Sequence, residues 1–481
     1  MTDQPPTSQQ VLDQLRERPE ADRAILFTGG TVLTLDPRIG DLAKGDVLVR
    51  GRRIEAVGPD LSDRAGDAVV VDATGRIVLP GFQDTHRHCW QGQMRRLIPD
   101  CDNNSAYLVV MNEWLGTVYE PHDIYVGNLI SSLGALDAGI TSMLDFFHNP
   151  RTPEHSDAAI EALTASGIRA VHTSCGPIAG ESDGSWPGDV ARLRDRYFSS
   201  DDQLLTLRMG TIGAAFANPQ IALGVDRVRH ARELGISLTS DGIAGIEASN
   251  RVLELAEAGL LDENVALIHC LDIQPEAWQA IADHGVNVSI PTTSDATIGI
   301  WDSVPAVQKA LDVGIRPSLS VDVEAVLSPD MFTQMRTLLN IQRMMVFARR
   351  HEGETDHPAP LTNRDVLEMA TIEGARFNGT LDRTGTLTPG KRADLIMVTA
   401  DDWNTLPLNN AVGTVVTAAD TRNVEAVFVD GQVRKWAHSL VDHDLRQVRE
   451  LVERSRDSVM QTAGFDLDVL EQKVGFMAKP R

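Results

Sequence analysis

Hydrophobic and polar residues alternate in two separate parts of the chain, one near each end. In residues 24–80 the alternation runs through AILFTGGTVLTLD, GDVLVRGRRIEAVG and DAVVVDATGRIVLP, and it returns in GTLTPGKRADLIMV and NVEAVFVDGQVRK. A period of two between glycine and aspartate turn residues predicts half-buried β-strands. Because the two parts share this pattern, we expect residues 24–80 and 381–436 to pair as one small β-sandwich domain built from both ends of the chain.

Between these two parts, residues 81–380 alternate short apolar runs with helical segments. The apolar runs lie near residues 82–86, 139–147, 167–174, 204–210, 235–241, 264–270, 285–291 and 314–322. Eight strands that alternate with helices over roughly 300 residues predict a (β/α)8 TIM barrel, so the fold class is α/β. Outside these units lie a polar N-terminal segment, residues 1–23, and a charged helical tail, residues 437–481, which we expect to pack on the outside or on a partner subunit.

The charge of the chain argues against several classes of partner. The chain contains 44 lysine and arginine residues against 68 aspartate and glutamate residues, a formal net charge of −24. Such a charge repels phosphate groups, which argues against nucleic acid and anionic membranes. No apolar run reaches the ~18 residues of a membrane span, and the polar first residues do not resemble a secretory signal. We therefore expect a cytoplasmic homo-oligomer that acts on a small molecule.

The residues best suited to chemistry lie where predicted strands end. His86 and His88 are separated by one residue, so their side chains point to the same side of a strand. His269 ends the predicted sixth strand and Asp322 ends the eighth. Barrels of this kind build their active sites at the carboxyl ends of the strands, so the four side chains should meet at one mouth. Each residue alone is compatible with a structural role, but together they predict a divalent metal site.

The sequence around these residues resembles the amidohydrolase superfamily, in its cytosine deaminase and triazine hydrolase branch. The resemblance rests on LPGFQDTHRH, TSMLD, LIHC, SVDVE followed by DMFTQMR, and GTLTPGKRADLIMV, and it extends over residues 25–435. It implies one Zn²⁺ or Fe²⁺ ion and hydrolysis of a carbon–nitrogen or similar bond in a small, often heterocyclic compound. It also implies that His86, His88 and His269 are metal ligands or lie beside the metal, and that Asp322 is the metal-proximal base.

The chain departs from this family at the fifth strand, where a histidine ligand, often followed three residues later by a glutamate, is expected. Here LTSDGIAGIEASN offers Thr239 or Asp241 at the ligand position, depending on the register, and the nearest glutamate is Glu247. Asp241 would preserve the metal with an altered set of ligands and a role in catalysis, whereas Thr239 would remove a strong ligand. If the metal is lost, the chain is either a metal-free enzyme with altered acid–base chemistry or a non-catalytic relative that only binds.

Three further side chains are candidates for substrate binding. Trp90 directly follows the histidine pair, His148 follows the second predicted strand, and His172 lies in the third. The alternatives for Trp90 and His148 are a packing indole and a surface histidine. In the expected mechanism a bound ion lowers the pKa of its water toward ~7. Asp322 then accepts the water proton, and His269 or another donor stabilises the charge that develops on the substrate.

Overall fold

A computed structural model describes residues 7–17, 23–101, 103–200, 202–213, 218–299, 303–467 and 469. Parts of the predicted N-terminal segment and of the predicted tail therefore lie outside the described residues. The strands are β1 (Ala24–Val32), β2 (Leu42–Arg50), β3 (Arg53–Gly58), β4 (Val69–Asp72), β5 (Arg76–Pro80), β6 (Phe82–Arg87), β7 (Ile140–Phe147), β8 (Arg169–Ser174), β9 (Leu205–Ile212), β10 (Ser237–Ala244), β11 (Val265–Leu271), β12 (Asn287–Ile290), β13 (Ser318–Leu319), β14 (Leu395–Thr399), β15 (Val424–Val429), β16 (Gln432–Trp436) and β17 (Ser439–Leu440).

Helices fill most of the connections between these strands. The helices are α1 (Ser8–Glu17), α2 (Ser62–Ala65), α3 (Asn104–Tyr107), α4 (Pro121–Asp137), α5 (Pro153–Ser166), α6 (Asp189–Tyr197), α7 (Val225–Glu233), α8 (Gly245–Glu257), α9 (Pro275–Asp283), α10 (Thr292–Thr297), α11 (Val307–Asp312), α12 (Met331–His351), α13 (Asn363–Glu368), α14 (Gly374–Phe377), α15 (Ala411–Gly413) and α16 (Leu445–Ala463). None of the helices in the described parts of the chain is both long and apolar enough to span a membrane.

Strands β6 to β13 form one sheet in chain order, and every pair is parallel, which confirms the predicted TIM barrel. The barrel closes between its first strand and the segment after its last. Arg87 and Asp322 form a parallel bridge there, and the Asp322 amide donates to the His86 carbonyl over 2.8 Å. The closure therefore places Asp322 beside the histidine pair.

The eighth barrel strand is shorter than predicted. The apolar pattern predicts a strand over residues 314–322, but β13 covers two residues. Pro317 immediately before β13 has no N–H to donate to a neighbouring strand. Asp322 has a φ of 69°, a left-handed backbone conformation that a regular strand does not contain. These two residues confine the regular pairing to the short stretch between them.

A second, mixed sheet combines both ends of the chain, as the repeated pattern predicts. It contains β1 to β5 and β14 to β17, with β14 antiparallel to β5. Gly81 alone links β5 to the first barrel strand, and a Cβ atom there would lie 2.1 Å from Thr141. At the amino end of β8, Arg169 forms an ion pair with Asp394, 2.8 Å away, which precedes β14. The second sheet is thus attached to the barrel at the end opposite the histidines.

The connection from β6 to α4, described over residues 89–101 and 103–118, is here named the cap. It contains 3₁₀-helices at Cys89–Met94 and Gly116–Val118 and a π-helix at Leu108–Leu115. The predicted helical tail contains α16, which packs on the cap through the Trp114 indole N–H, a donor to the Ala463 carbonyl over 2.8 Å. Gln93 also donates to the Ser455 hydroxyl over 3.2 Å. The tail therefore stabilises a segment that begins directly at His88.

Candidate metal centre

Four barrel strands bring five buried side chains to the same end of the barrel. The five are His86 at the end of β6, His88 just after it, Asp241 in β10, His269 in β11 and Asp322 after β13. His269 and Asp322 have positive φ values of 74° and 69°. A non-glycine residue in this conformation costs of order 1–3 kcal/mol, and such residues cluster at functional sites.

The donor atoms of these side chains lie close together. His86 Nε2 is 3.1 Å from Asp322 Oδ1 and 3.3 Å from Asp241 Oδ1. His88 Nε2 is 3.1 Å from Asp322 Oδ1 and 3.6 Å from Asp241 Oδ2. His269 Nε2 is 3.1 Å from Asp241 Oδ1 and 4.0 Å from Asp322 Oδ2. Two carboxylates thus lie between three imidazoles.

The spacing fits one divalent ion. Ligand atoms at the ~2.0–2.2 Å bond lengths of tetrahedral zinc lie about 3.3–3.6 Å apart. The four distances that join His86 and His88 to the two carboxylates span 3.1–3.6 Å. His86 Nε2 has no hydrogen-bond partner among the described residues although it is buried. The residues that are present therefore fit a metal ion.

The orientation of two histidines supports the same interpretation. His88 Nδ1 donates to the Phe146 carbonyl over 3.1 Å, and His269 Nδ1 donates to Asp295 Oδ1 over 2.6 Å. Metal-binding histidines commonly use their second nitrogen in this way, which points the other nitrogen toward the ion. Burial raises the pKa of Asp295 to about 6, although the nearby His269 opposes the shift. Ser294 donates to Asp322 Oδ2 and fixes the rotation of that carboxylate.

The register of β10 places Asp241, and not Thr239, among these donors. Thr239 lies two residues deeper in the barrel and accepts a hydrogen bond from Arg208 over 3.3 Å. Although burial opposes the shift, the charges of His86 and His269 lower the pKa of Asp241, so its carboxylate is ionised. Ala244 stands three residues after Asp241, and Glu247 is exposed on α8. The glutamate expected after the fifth-strand ligand is therefore replaced by an apolar residue.

Two of the three candidates for substrate binding lie beside the centre. The His148 ring packs against the His88 ring at 4.4 Å between centroids, and Trp90 packs against His148 at 5.6 Å. Trp90 Nε1 and both ring nitrogens of His148 are buried without a hydrogen-bond partner among the described residues. Burial and the neighbouring His88 lower the pKa of His148, so its ring is neutral. His148 is buried and is therefore not a surface histidine, whereas Trp90 lies in a hydrophobic cluster, as a packing indole would.

The structure does not bring His172 to the centre. Phe146 points into the barrel, where its ring contacts those of His86 and His88. Asp145, the preceding residue, points to the outer face and accepts a hydrogen bond from His172 Nδ1 over 3.0 Å. His172 also packs against Phe147 on that outer face. Its strand was predicted, but the face it occupies depends on the register of the pairing.

A polar pair in the cap lies near the centre and could not be predicted from the sequence. Tyr107 and Gln91 are buried, and the Gln91 amide donates to the Tyr107 hydroxyl over 2.6 Å. Burial and the negative charge of Asp322 raise the pKa of Tyr107, so the hydroxyl keeps its proton next to the carboxylates. The cap is irregular in structure, and no sequence pattern indicates which of its side chains face the barrel mouth.

A buried ion network supports β6 on the side away from the metal centre. Arg87, between the two histidines, lies 2.7 Å from both Asp84 and Glu324. Glu324 also accepts hydrogen bonds from Arg95 and Ser131. Although burial raises it, the charges of Arg95 and Arg87 lower the pKa of Glu324 from 4.5 to about 2. This network joins the first strand of the barrel to the segment after the last.

Comparison with known proteins identifies relatives over most of the chain. A model of the amidohydrolase family matches residues 77–434. The 5'-deoxyadenosine deaminase of Methanosarcina acetivorans is 25% identical over 461 residues, which cover 91% of this chain and 99% of that protein. The 5-methylthioadenosine/S-adenosylhomocysteine deaminase of Acetivibrio thermocellus is 26% identical and covers 76% of this chain and 82% of its own length.

Solved structures share the fold. An adenosine deaminase from Xanthomonas campestris with bound zinc superposes with a TM-score of 0.75 at 19% identity, over 92% of this chain and all of that one. An atrazine chlorohydrolase from Arthrobacter aurescens complexed with zinc superposes with a TM-score of 0.75 at 24% identity, over 90% of this chain and 99% of that one. At these identities the likeness establishes the barrel with its second sheet.

Proposed function

Because this chain belongs to the amidohydrolase family, we propose that it is a hydrolytic deaminase acting on a small, amino-substituted nitrogen heterocycle. Family membership makes it a hydrolase of carbon–nitrogen bonds. The deaminase names of its relatives favour loss of an amino group over cleavage of a urea or carbamate. A small-molecule substrate fits the same relatives.

The observation that carries this proposal is the set of four side chains whose ligand atoms lie at the spacing of a single ion. His86, His88, Asp241 and Asp322 would hold a divalent ion such as Zn²⁺ or Fe²⁺. His269 Nε2 lies 3.1 Å from Asp241 Oδ1 but 4.0 Å from Asp322 Oδ2, so we place His269 beside the ion as a proton donor and not among its ligands. A bound divalent ion supplies hydroxide at neutral pH because it lowers the pKa of water toward ~7.

The residues around the ion then have separate roles in the reaction. Asp322 accepts the water proton at Oδ2, to which Ser294 donates, and passes it to the amino group, which leaves as ammonia when its bond to carbon breaks. Although burial opposes the shift, the charges of Asp295 and Asp241 raise the pKa of His269, so its doubly protonated ring would donate from Nε2 and stabilise negative charge on the substrate as the carbon is attacked. Asp241 remains ionised and offsets the charge of the ion. We infer that Trp90 and the neutral His148 bind ring atoms of the substrate, because both rings lie beside the centre and their polar atoms are buried without partners among the described residues.

The proposal is tested by metal content and by turnover in the same preparation. We expect stoichiometric divalent metal by elemental analysis, and release of ammonia from 5'-deoxyadenosine or from other amino-substituted purines, pyrimidines and triazines. A chelator should abolish the release, and added metal should restore it. Protein without stoichiometric metal whose activity resists the chelator would be the metal-free enzyme, and metal-loaded protein without turnover on any of these would contradict the deaminase proposal.

The role of Asp322 has its own test. Asp322→Asn should lower kcat by about 10²- to 10⁴-fold, the usual contribution of a general base, with little change in unfolding temperature. Asp312→Asn is the matched control, because Asp312 is exposed on α11. Turnover near that of the wild type in Asp322→Asn would remove Asp322 from the role of base.

A further inference from the structure

A cavity of about 280 Å³ opens at the end of the barrel opposite the metal centre. Its wall contains the first residues of β9, Leu205 to Arg208, and the residues that lead into β10, Leu234 to Ser237. Asp241 lies four residues beyond Ser237 on the same strand, which places it about 13 Å away at ~3.3 Å per residue. The cavity is therefore separate from the metal centre.

The cavity contains a buried arginine that has no counter-charge among the residues that the structure describes. Arg208 is only 9% exposed. Its guanidinium donates to the Thr239 hydroxyl over 3.3 Å and to the Phe377 carbonyl over 2.6 Å, and no carboxylate of the described residues pairs with it. Burial lowers its pKa to about 10, which still leaves the group charged at neutral pH. A buried cation of this kind is costly unless an anion compensates it.

The other side chains in the wall are neutral or basic. The remaining polar side chains in the wall are those of Arg194, Ser200, Thr206, Ser237 and Asn378. None of the described residues that line the cavity is acidic. The protein as a whole carries 68 acidic residues against 44 basic ones. Arg194 is already paired with Asp195, 2.8 Å away, so Arg208 is the charge that no carboxylate of the described residues compensates.

We propose that this cavity binds an oxyanion group, a phosphate or a carboxylate, of a small molecule, with Arg208 as its charge partner. The planar guanidinium can donate parallel hydrogen bonds to two oxygens of such a group. A lysine ammonium does not have this geometry. The volume admits a small metabolite and excludes a folded partner. The site is independent of the deaminase proposal, since it uses none of the residues of the metal centre.

The test measures binding of inorganic phosphate and of acetate to the full-length, metal-loaded protein. Calorimetry and thermal unfolding are run at constant ionic strength with chloride as the balancing ion. We expect saturable binding of at least one of the two probes and a matching rise in unfolding temperature. Phosphate binding without acetate binding assigns the site to phosphorylated ligands, and the reverse assigns it to carboxylates.

Variants of Arg208 decide whether the anion binds in this cavity. Arg208→Met should weaken binding at least tenfold, and Arg208→Lys, which keeps the charge and protects the fold, should weaken it less. Arg229→Met, on the exposed face of α7, is the matched control and should bind as the wild type does. Absence of saturable binding by the wild type, or wild-type affinity in both Arg208 variants, would overturn the proposal.

Discussion

Asp241 changes the charge of the candidate centre compared with a histidine at the same position. Together with Asp322 it gives two carboxylates, which balance the two charges of a divalent ion. The two oxygens of Asp241 also lie near different histidines. Oδ1 lies near His86 Nε2, and Oδ2 lies near His88 Nε2. The carboxylate therefore connects both members of the histidine pair.

Removal of Asp241 should weaken the hold on the metal. We expect Asp241→Ala to bind Zn²⁺ at least about tenfold less tightly than the wild type, because changes merely next to ligands already cost 10- to 100-fold. Asp241→His restores a nitrogen ligand and should retain most of the affinity. Competition with a chromophoric chelator measures both variants, and unchanged affinity in Asp241→Ala would show that Asp241 is not a ligand.

Glu324 contributes to stability in a pH-dependent way. Its pKa is lowered from 4.5 to about 2 in the folded protein by Arg95 and Arg87, so its contribution is present above pH 4.5 and is lost as the pH falls toward 2. Glu324→Gln should lower the free energy of unfolding by about 3 kcal/mol at pH 7, because a buried arginine loses a charge partner. Urea unfolding should show this difference shrinking below pH 4.5, while the exposed Glu354→Gln shows none. A difference in the free energy of unfolding that stays the same at all pH values would contradict the lowered pKa of Glu324.

At the scale of elements, α16 and the cap depend on each other. Val459 and Met460 of α16 and Phe465 just after it are buried in the same cluster as Trp90 and Tyr107 of the cap. The cap has few regular hydrogen-bonded turns of its own, since its described part consists of the four-residue helix α3 and of short 3₁₀- and π-helical stretches. The C-terminal helix thus stabilises a segment that borders the metal centre from outside the barrel.

Truncation tests this dependence. A chain that ends after residue 443 lacks α16, and each large apolar side chain it loses from the core is worth about 1.5–3 kcal/mol. We expect a lower unfolding temperature, together with faster hydrogen exchange over residues 89–118. A chain that ends after residue 467 keeps the contacts of α16 and Phe465 with the cap and is the control. Equal exchange in the two truncated chains would show that α16 does not hold the cap.

At the scale of the whole molecule, the barrel and most of the centre could be predicted because both follow from local patterns. Each of the eight apolar runs became a strand, and His86, His88, His269 and Asp322 were found because they end such strands. Depth and face could not be predicted in the same way. Thr239 and Asp241 point to the same side of β10 and differ only in depth, and His172 lies on the outer face of β8. The depth of a side chain and the face that it occupies both depend on how its strand is aligned with the neighbouring strands. The pattern of a single strand does not contain this information.

The second sheet has a consequence for the synthesis of the chain. Strand β5 pairs with β14 in the finished protein, yet β5 leaves the ribosome long before β14 exists. At translation rates of about 5–20 residues per second, the roughly 300 intervening residues take about 15–60 s to appear. During that time the β5 edge lacks its partner, and unpaired edges invite association with other chains. Nascent chains therefore pass through an interval in which they need protection from aggregation that completed chains do not need.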